Sequence, residues 1–224
     1  MPENPSTGEA RQRRTRSSVT AHEILRAAEE VATAGFEALT MRAVAQRMGA
    51  SPMSLYRYFA TKDELIDAML DRVLGRIQLP APSGDWVADL GRFAMAHRQV
   101  LRDHPWAIVP LFTHSNPGIN GSVIGESALA ILERGGVLGD AAVASFSAIL
   151  ALNYGWFAFN SARDGRRSET DPEADLAASL AQLPPERFPL TVSVAPQLSG
   201  YGSEEQYAMA LRRVVAGVAV SGNS

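Results

Sequence analysis

The chain contains no cysteine. That removes a disulfide framework, a thiol nucleophile and every cysteine-ligated zinc site, and nothing calls for an oxidising compartment. Strand signals are nearly missing too: the best candidate, Leu190 to Val194, is short and has no partner of similar character. Apolar runs fall short of the roughly eighteen residues that a membrane span needs, and Met1 to Ser18 lacks the apolar stretch of a signal peptide. These absences predict a soluble, cytoplasmic, all-α protein with no membrane partner. Catalytic signatures are absent as well: no Gly-x-Gly-x-x-Gly or phosphate-binding loop, no Gly-x-Ser-x-Gly elbow and no His-Glu-x-x-His. No catalytic residue and no cofactor is therefore expected. His97, His104 and His114 lack the acidic or third histidine neighbour of a familiar ligand spacing, so no metal site is expected either.

What is present is enough for a sizeable core, with 224 residues of which 46% are hydrophobic. The net charge of −3 conceals an asymmetry. Arg11 to Lys62 holds nine basic residues against four acidic ones, while the remainder holds twelve against twenty. A basic first part on an acidic chain is the footprint of a nucleic-acid reader.

The basic part carries the punctuation of a helix-turn-helix. Thr20 caps a helix to Ala34, with Ile24, Ala27, Ala28, Val31 and Ala32 as its apolar stripe, and Gly35 stops it. Thr40 caps a second helix, which Gly49 ends. Ser51 is read as the next cap, with Pro52 at the first helical position, where its missing N–H costs nothing. Two short helices joined by a turn of three or four residues cross steeply, and the second is the element such motifs lay in the major groove. Leu55 and Phe59, four apart, face the core. Ser51, Pro52, Met53, Ser54, Arg57 and an edge of Tyr56 and Tyr58 face outward, a set of donors and apolar caps suited to phosphates, base edges and thymine methyls. Thr61 and Glu64 read as a capping box for a helix from Asp63 to about Gly75 that starts beside Lys62.

The stretch Ser54-Leu55-Tyr56-Arg57-Tyr58-Phe59 followed by Lys62-Asp63-Glu64-Leu65 resembles the recognition helix of TetR-type transcriptional repressors and the start of the helix behind it. The resemblance covers Thr20 to about Leu74. It implies DNA contact through Met41, Arg42, Ser51, Pro52, Met53, Ser54, Tyr56, Tyr58 and Lys62, and Arg57 stands where that family varies.

Residues 1–19 are expected to be a disordered basic arm, with Arg11, Arg13, Arg14 and Arg16 free to reach phosphates. Residues 20–75 form the DNA-binding domain, 76–85 a Pro/Gly-rich linker, and 86–224 a helical bundle for ligand binding and dimerisation. In that bundle, helices are expected over Trp86 to Asp103, Pro105 to Phe112, Ser122 to Arg134, Asp140 to Arg163, Asp171 to Leu183 and Glu204 to Val220, with Pro184 to Gly202 irregular. Residues 141–162 are apolar or small all round, so that helix must be buried on every face. One face belongs against its own domain and another against a second subunit, giving a homodimer through 141–162 and 204–220. The same order of elements is similar to the tetracycline-repressor branch, whose dimer core is a four-helix bundle.

Trp86, Phe93, His97, Trp106, Phe112, Tyr154, Trp156 and Phe157 fall on helices that surround one interior. Phe93, His97, Trp106, Phe112, Asn153, Tyr154 and Phe157 are the candidate ligand-binding residues, with His97, Asn153 and Tyr154 as polar anchors for an apolar or aromatic effector. In the resemblance, positions that hold tetracycline and its magnesium fall on Gln78, Phe93 and Phe112, which implies a different effector. The resulting expectation is a ligand-responsive repressor that binds a near-palindromic DNA operator as a homodimer. A helical small-molecule binding protein or enzyme with a relic DNA-binding motif, and an activator, remain as alternatives.

Overall fold

The computed structural model describes residues 19–114, 118–164, 172–200 and 202–221. The basic arm with Arg11, Arg13, Arg14 and Arg16 lies outside them. The chain separates into two compact units, one up to Lys62 and one from Asp63 onward. The break falls at the first turn of a helix rather than at the Pro/Gly run.

In the first unit, α1 (Ala21–Ala34) opens on a full capping box. Glu23 N donates to Thr20 Oγ1 at 3.2 Å and Thr20 N donates back to the Glu23 carboxylate at 2.9 Å, so two orphan amides are satisfied at once. A single turn, Phe36–Ala38, leads to α2 (Met41–Met48), capped by Thr40 Oγ1, which accepts from Ala43 N at 3.0 Å. Gly49 ends α2 with φ +66°, a left-handed angle at which any side chain would be strained. The short α3 (Pro52–Tyr56) follows at once. α1 packs on α2 and α2 on α3, and Ile24, Ala28, Val44, Ala45 and Leu55 are almost fully buried.

The Ser51 side chain does not cap α3, contrary to the sequence expectation. Its hydroxyl lies 3.0 Å from that of Ser54, which donates to Ser51 O at 2.6 Å. Three residues apart on one short turn, the two hydroxyls satisfy each other.

α4 (Lys62–Leu74) carries Leu65, Ile66, Met69, Leu70, Val73 and Leu74 as a buried face. The second unit is then built around α5 (Trp86–Asp103), which packs against α7 (Ile119–Arg134), α8 (Gly139–Asp164) and α12 (Glu204–Ser221). A turn at Pro105–Ala107 and α6 (Ile108–Thr113) bridge α5 to α7. Asp89 fastens the Pro/Gly run to this frame: it is 2% exposed, accepts from Ser83 N and Oγ, and pairs with Arg92 and Arg134. Those partners, Ser83 first, hold its carboxyl well below the usual range.

Leu190 to Val194, the best strand candidate, is helical up to Ser193, as the all-α expectation requires: α10 (Pro189–Ser193) occupies it, with Pro189 at the first helical position starting a turn and no neighbouring strand among the described residues. Two sequence expectations need correction. Pro184 to Gly202 is not irregular throughout, since α11 (Ala195–Ser199) follows α10, and both pack with α9 (Pro172–Ala181). Secondly, one helical stretch, Gly139–Asn160, is by length and composition long and apolar enough to cross a membrane. Asn153 and two serines, Ser145 and Ser147, interrupt its apolar run, yet small apolar and aromatic residues fill most of the rest. Only 22% of its most apolar window is buried within the chain, so α8 keeps a broad apolar face uncovered.

Candidate DNA-reading face and effector site

α3 is placed by its own inward side. Leu55 is 0% and Phe59 9% exposed, which turns the intervening residues outward. Met53 is 72% exposed, Tyr56 46% and Tyr58 43%, and Ser51, Pro52, Arg57 and Lys62 are exposed with them, while Ser54 is half-buried. Arg42 projects from α2, also exposed. Arg42 and Arg57 make no ion pair among the described residues, whereas Arg47 is held by Glu30 at 2.6 Å. The arrangement is an exposed surface of cations, hydroxyls and one thioether.

Two residues of the expected set behave differently. Met41 is 6% exposed, because the first residue after the Thr40 cap points into the core, so it is not part of this face. Tyr58 presents its ring but spends its hydroxyl hydrogen on Val19 O at 2.5 Å, thirty-nine positions back, tying the start of α1 to the end of α3. Lys62 Nζ stands 5.8 Å from the centroid of the Phe36 ring, close enough for a weak cation–π attraction.

In the second unit the structure brings His97, Asn153 and Tyr154 together. Asn153, 0% exposed, donates from Nδ2 to Ala94 O at 3.0 Å and lies 3.0 Å from His97 Nδ1. His97 Nε2 is 3.3 Å from the Tyr154 hydroxyl. Sequence reasoning missed the far end of this chain: Tyr207 on α12 donates to Asn153 Oδ1 at 2.6 Å. Above the Tyr207 ring, 3.8 Å from its centroid, lies the Arg98 guanidinium, which grips Glu204 with two bonds of 2.6 and 2.8 Å. The only available signal was position: Tyr207 falls on the apolar face of its helix, where a hydroxyl needs a partner.

The aromatic residues divide. Phe112, 58% exposed, sets its ring edge against Tyr154 with centroids 5.3 Å apart. Phe93 is fully buried and tilts against Phe146 at 6.3 Å. Trp106 is 8% exposed, and Phe157 is half-buried on α8. Trp156 contacts Tyr207 edge-on and donates to Gly202 O. A separate groove of about 950 Å³ opens between α5 and α12, lined by Val87, Met95, Leu211 and Val215 with Arg92 and Arg212, and none of the seven expected ligand residues reaches it.

The three histidines go to separate places: His97 as above, His104 beside Arg76 at 2.9 Å, and His114 against Asp67 at 2.6 Å. The last contact joins the end of α6 to α4. Asp71, one turn further along α4, accepts from Asn120 N at 2.7 Å and Gly121 N at 3.2 Å, so α4 supplies the N-terminal cap of α7. Gly118 makes this approach feasible, since a Cβ there would stand 2.8 Å from Asp71 Cγ.

Burial pushes the His97 pKa down to about 4, from an ordinary value of 6.5, and pushes Tyr154 up to about 12. At neutral pH both are uncharged. The depressed histidine value means that the unfolded chain takes up a proton near pH 6.5 that the folded chain refuses until near pH 4. The stability it confers is complete above the first value and is lost as pH falls towards the second. Urea unfolding should therefore show a loss of order 3 kcal/mol from this residue between pH 7 and pH 4. His97→Gln should flatten the profile between pH 6.5 and 5.5, above the range where ordinary carboxylates titrate. Identical slopes for the two proteins in that window would rule the assignment out.

Comparison with known proteins agrees with this architecture. Residues 24–69 match the model of bacterial regulatory proteins of the tetR family, and residues 79–221 match the tetracyclin repressor-like C-terminal domain. The fold and its helix-turn-helix define a regulator of the tetR class, and this chain belongs to that family. It is 38% identical over 128 residues to an HTH-type transcriptional regulator of Saccharopolyspora erythraea, covering 56% of this chain and 54% of that protein. It is 37% identical over 131 residues to the HTH-type transcriptional repressor DrrR1 of Streptomyces coeruleorubidus, covering 57% of this chain and 46% of that one. The chain thus spans about half the length of the curated relatives it matches. Among solved structures, apo ActR of Streptomyces coelicolor superposes with a TM-score of 0.84 at 23% identity, over 93% of this chain and 99% of that one. ActR in complex with actinorhodin superposes at 0.83, also at 23% identity, over 93% of this chain and all of that one.

Proposed function

We propose that this protein is a ligand-responsive transcriptional repressor of the cytoplasm that binds a near-palindromic operator as a homodimer and is released by a small-molecule effector. The observation that carries the reading is the exposed row Ser51, Pro52, Met53, Tyr56 and Arg57 on a helix locked from behind by Leu55 and Phe59, with Arg42 and Lys62 beside it. Side chains of this kind read base edges while the flanking cations hold phosphates.

The uncovered face of α8, with Val143 58% and Phe159 43% exposed among alanines, together with Val220 of α12 at 71%, is the surface for a second copy. A dimer holds two recognition helices at a fixed spacing, and an operator with half-sites about one helical turn apart, or a multiple of that, fits it. A membrane is a poorer partner for α8, since the same helix packs on α5, α7 and α12 and carries the buried Asn153.

The effector is an apolar or aromatic small molecule bound in the second unit near Phe112, Tyr154 and His97. That ActR, which shares this fold, has been solved with actinorhodin supports a small-molecule effector for this chain. Release requires the effector to bind two conformations with different affinity. Asp67 and Asp71 bond α4 to the α6–α7 segment, which makes α4 the element such a change would move first.

Tyr56→Ala tests the reading. It should weaken operator binding by about tenfold to a hundredfold while leaving random duplex within about twofold, measured by fluorescence anisotropy at fixed salt. Equal losses on both duplexes would remove Tyr56 from sequence readout.

A further inference from the structure

The first turn of α3 has less hydrogen-bonding capacity to offer a base than its two serines suggest. Ser54 Oγ donates its one hydrogen to Ser51 O at 2.6 Å, and Ser54 N donates to the same oxygen at 3.0 Å. Ser51 Oγ lies 3.0 Å from Ser54 Oγ, whose hydrogen is already spent, so Ser51 is the donor in that pair. Neither hydroxyl has a hydrogen left for a base. Pro52 has no N–H, and the Met53 side chain ends in a thioether that cannot donate. What the turn does present is apolar: the Pro52 ring is exposed and Met53 is 72% exposed. The donors Tyr56 and Arg57 follow about one turn further along.

In the major groove thymine presents O4 and a C5 methyl, and cytosine carries an amine where thymine has O4. A turn with no hydrogen to donate has nothing for O4, and its remaining lone pairs accept the same amine from cytosine with or without a methyl. The methyl is the group it can tell apart. We infer that Met53 is a specificity-determining residue that reads the C5 methyl of a pyrimidine in each half-site, irrespective of the carbonyl or amine beside it. The inference rests on the proposed DNA reading through α3 and adds the chemical group that its first turn selects. An unbranched thioether suits this task, because it adapts its shape to a methyl and is desolvated without stranding a strong donor or acceptor. Thymine and 5-methylcytosine are therefore equivalent to this side chain, and uracil and cytosine both lack what it binds.

The test uses the full chain and the duplex it selects from a random pool. Each thymine of that duplex is replaced in turn by deoxyuridine, opposite an unchanged adenine, and affinity is read by fluorescence anisotropy at fixed salt. At one position per half-site, loss of the methyl should weaken binding about fourfold, as the burial of one methyl group provides, and about fifteenfold when both half-sites are changed. At that position cytosine paired with guanine is then compared with 5-methylcytosine paired with guanine, and the added methyl should recover about fourfold. Met53→Ala should shrink both methyl effects to less than about twofold, and Met53→Leu, which keeps an apolar chain there, should retain them. Met53 is exposed, so thermal melts of both variants should match wild type.

A winning duplex in which no thymine methyl matters to the wild-type protein would overturn the inference, as would a methyl effect that Met53→Ala leaves intact. A thymine methyl effect with no counterpart between cytosine and 5-methylcytosine would overturn it too, because O4 would then be read by a donor. Each of these results leaves the regulatory reading standing, since a duplex has been selected. A pool that yields no winning duplex removes that reading, and the inference with it.

Discussion

Asn153→Leu is expected to destabilise the protein by about 3–5 kcal/mol, a large share of the roughly 5–15 kcal/mol that holds a domain together. Leucine keeps the branched outline of asparagine, at a larger volume, but removes two donors and an acceptor at a fully buried position. The Tyr207 hydroxyl, Ala94 O and His97 Nδ1 all lose their partner, and each unpaired buried group costs about 1–3 kcal/mol. The effect should exceed that of Tyr207→Phe, which strands only the Asn153 oxygen. Urea denaturation followed by circular dichroism measures both, at one protomer concentration because a dimer's stability depends on it. A loss below about 1 kcal/mol for the leucine variant would show that the network does not hold α5, α8 and α12 together.

The second large effect concerns charge. Arg42→Gln, Arg57→Gln and Lys62→Gln combined remove six cations from the proposed dimer, all from exposed positions clear of the core. If each neutralises one phosphate, the slope of log affinity against log salt should become shallower by about 5, and binding at about 0.1 M salt should fall by about a thousandfold. Operator and random duplex should suffer alike, because phosphates carry no sequence. That is the opposite pattern from Tyr56→Ala, and the two variants together separate holding from reading. A triple variant whose salt slope matches wild type would place the DNA elsewhere on the surface.

The reading head was legible from the residues because its signals are local. Thr20, Thr40, Gly49 and Pro52 each act on backbone within four residues, and α1, α2 and the start of α3 fall where the local signals put them. Ser51 is the exception, since a serine can cap or pair with a neighbour, and Ser54 stood within reach. Met41 failed for a related reason: family position placed it on the DNA face, while its register relative to the Thr40 cap turns it inward.

Non-local features were legible only in part. The cluster of His97, Asn153 and Tyr154 could be guessed from polar residues on apolar helices, but its anchoring by Tyr207 joins positions fifty-four residues apart. Asp71 capping α7 is equally out of reach, because a cap supplied from another helix leaves no spacing to find. α10 and α11 were missed because each is five residues long, too short for a period to show, and both begin beside a proline that also reads as a break.

The central claim is a dimer that reads DNA sequence through α3. Selection of duplexes from a random pool by the purified protein, with the salt dependence of the winning duplex recorded, tests it most directly. The account predicts a near-palindrome with half-sites about one helical turn apart or a multiple of it, and an affinity that falls steeply with salt. Enrichment of no sequence would contradict it, and the second unit would then have to be read as a small-molecule binder in its own right.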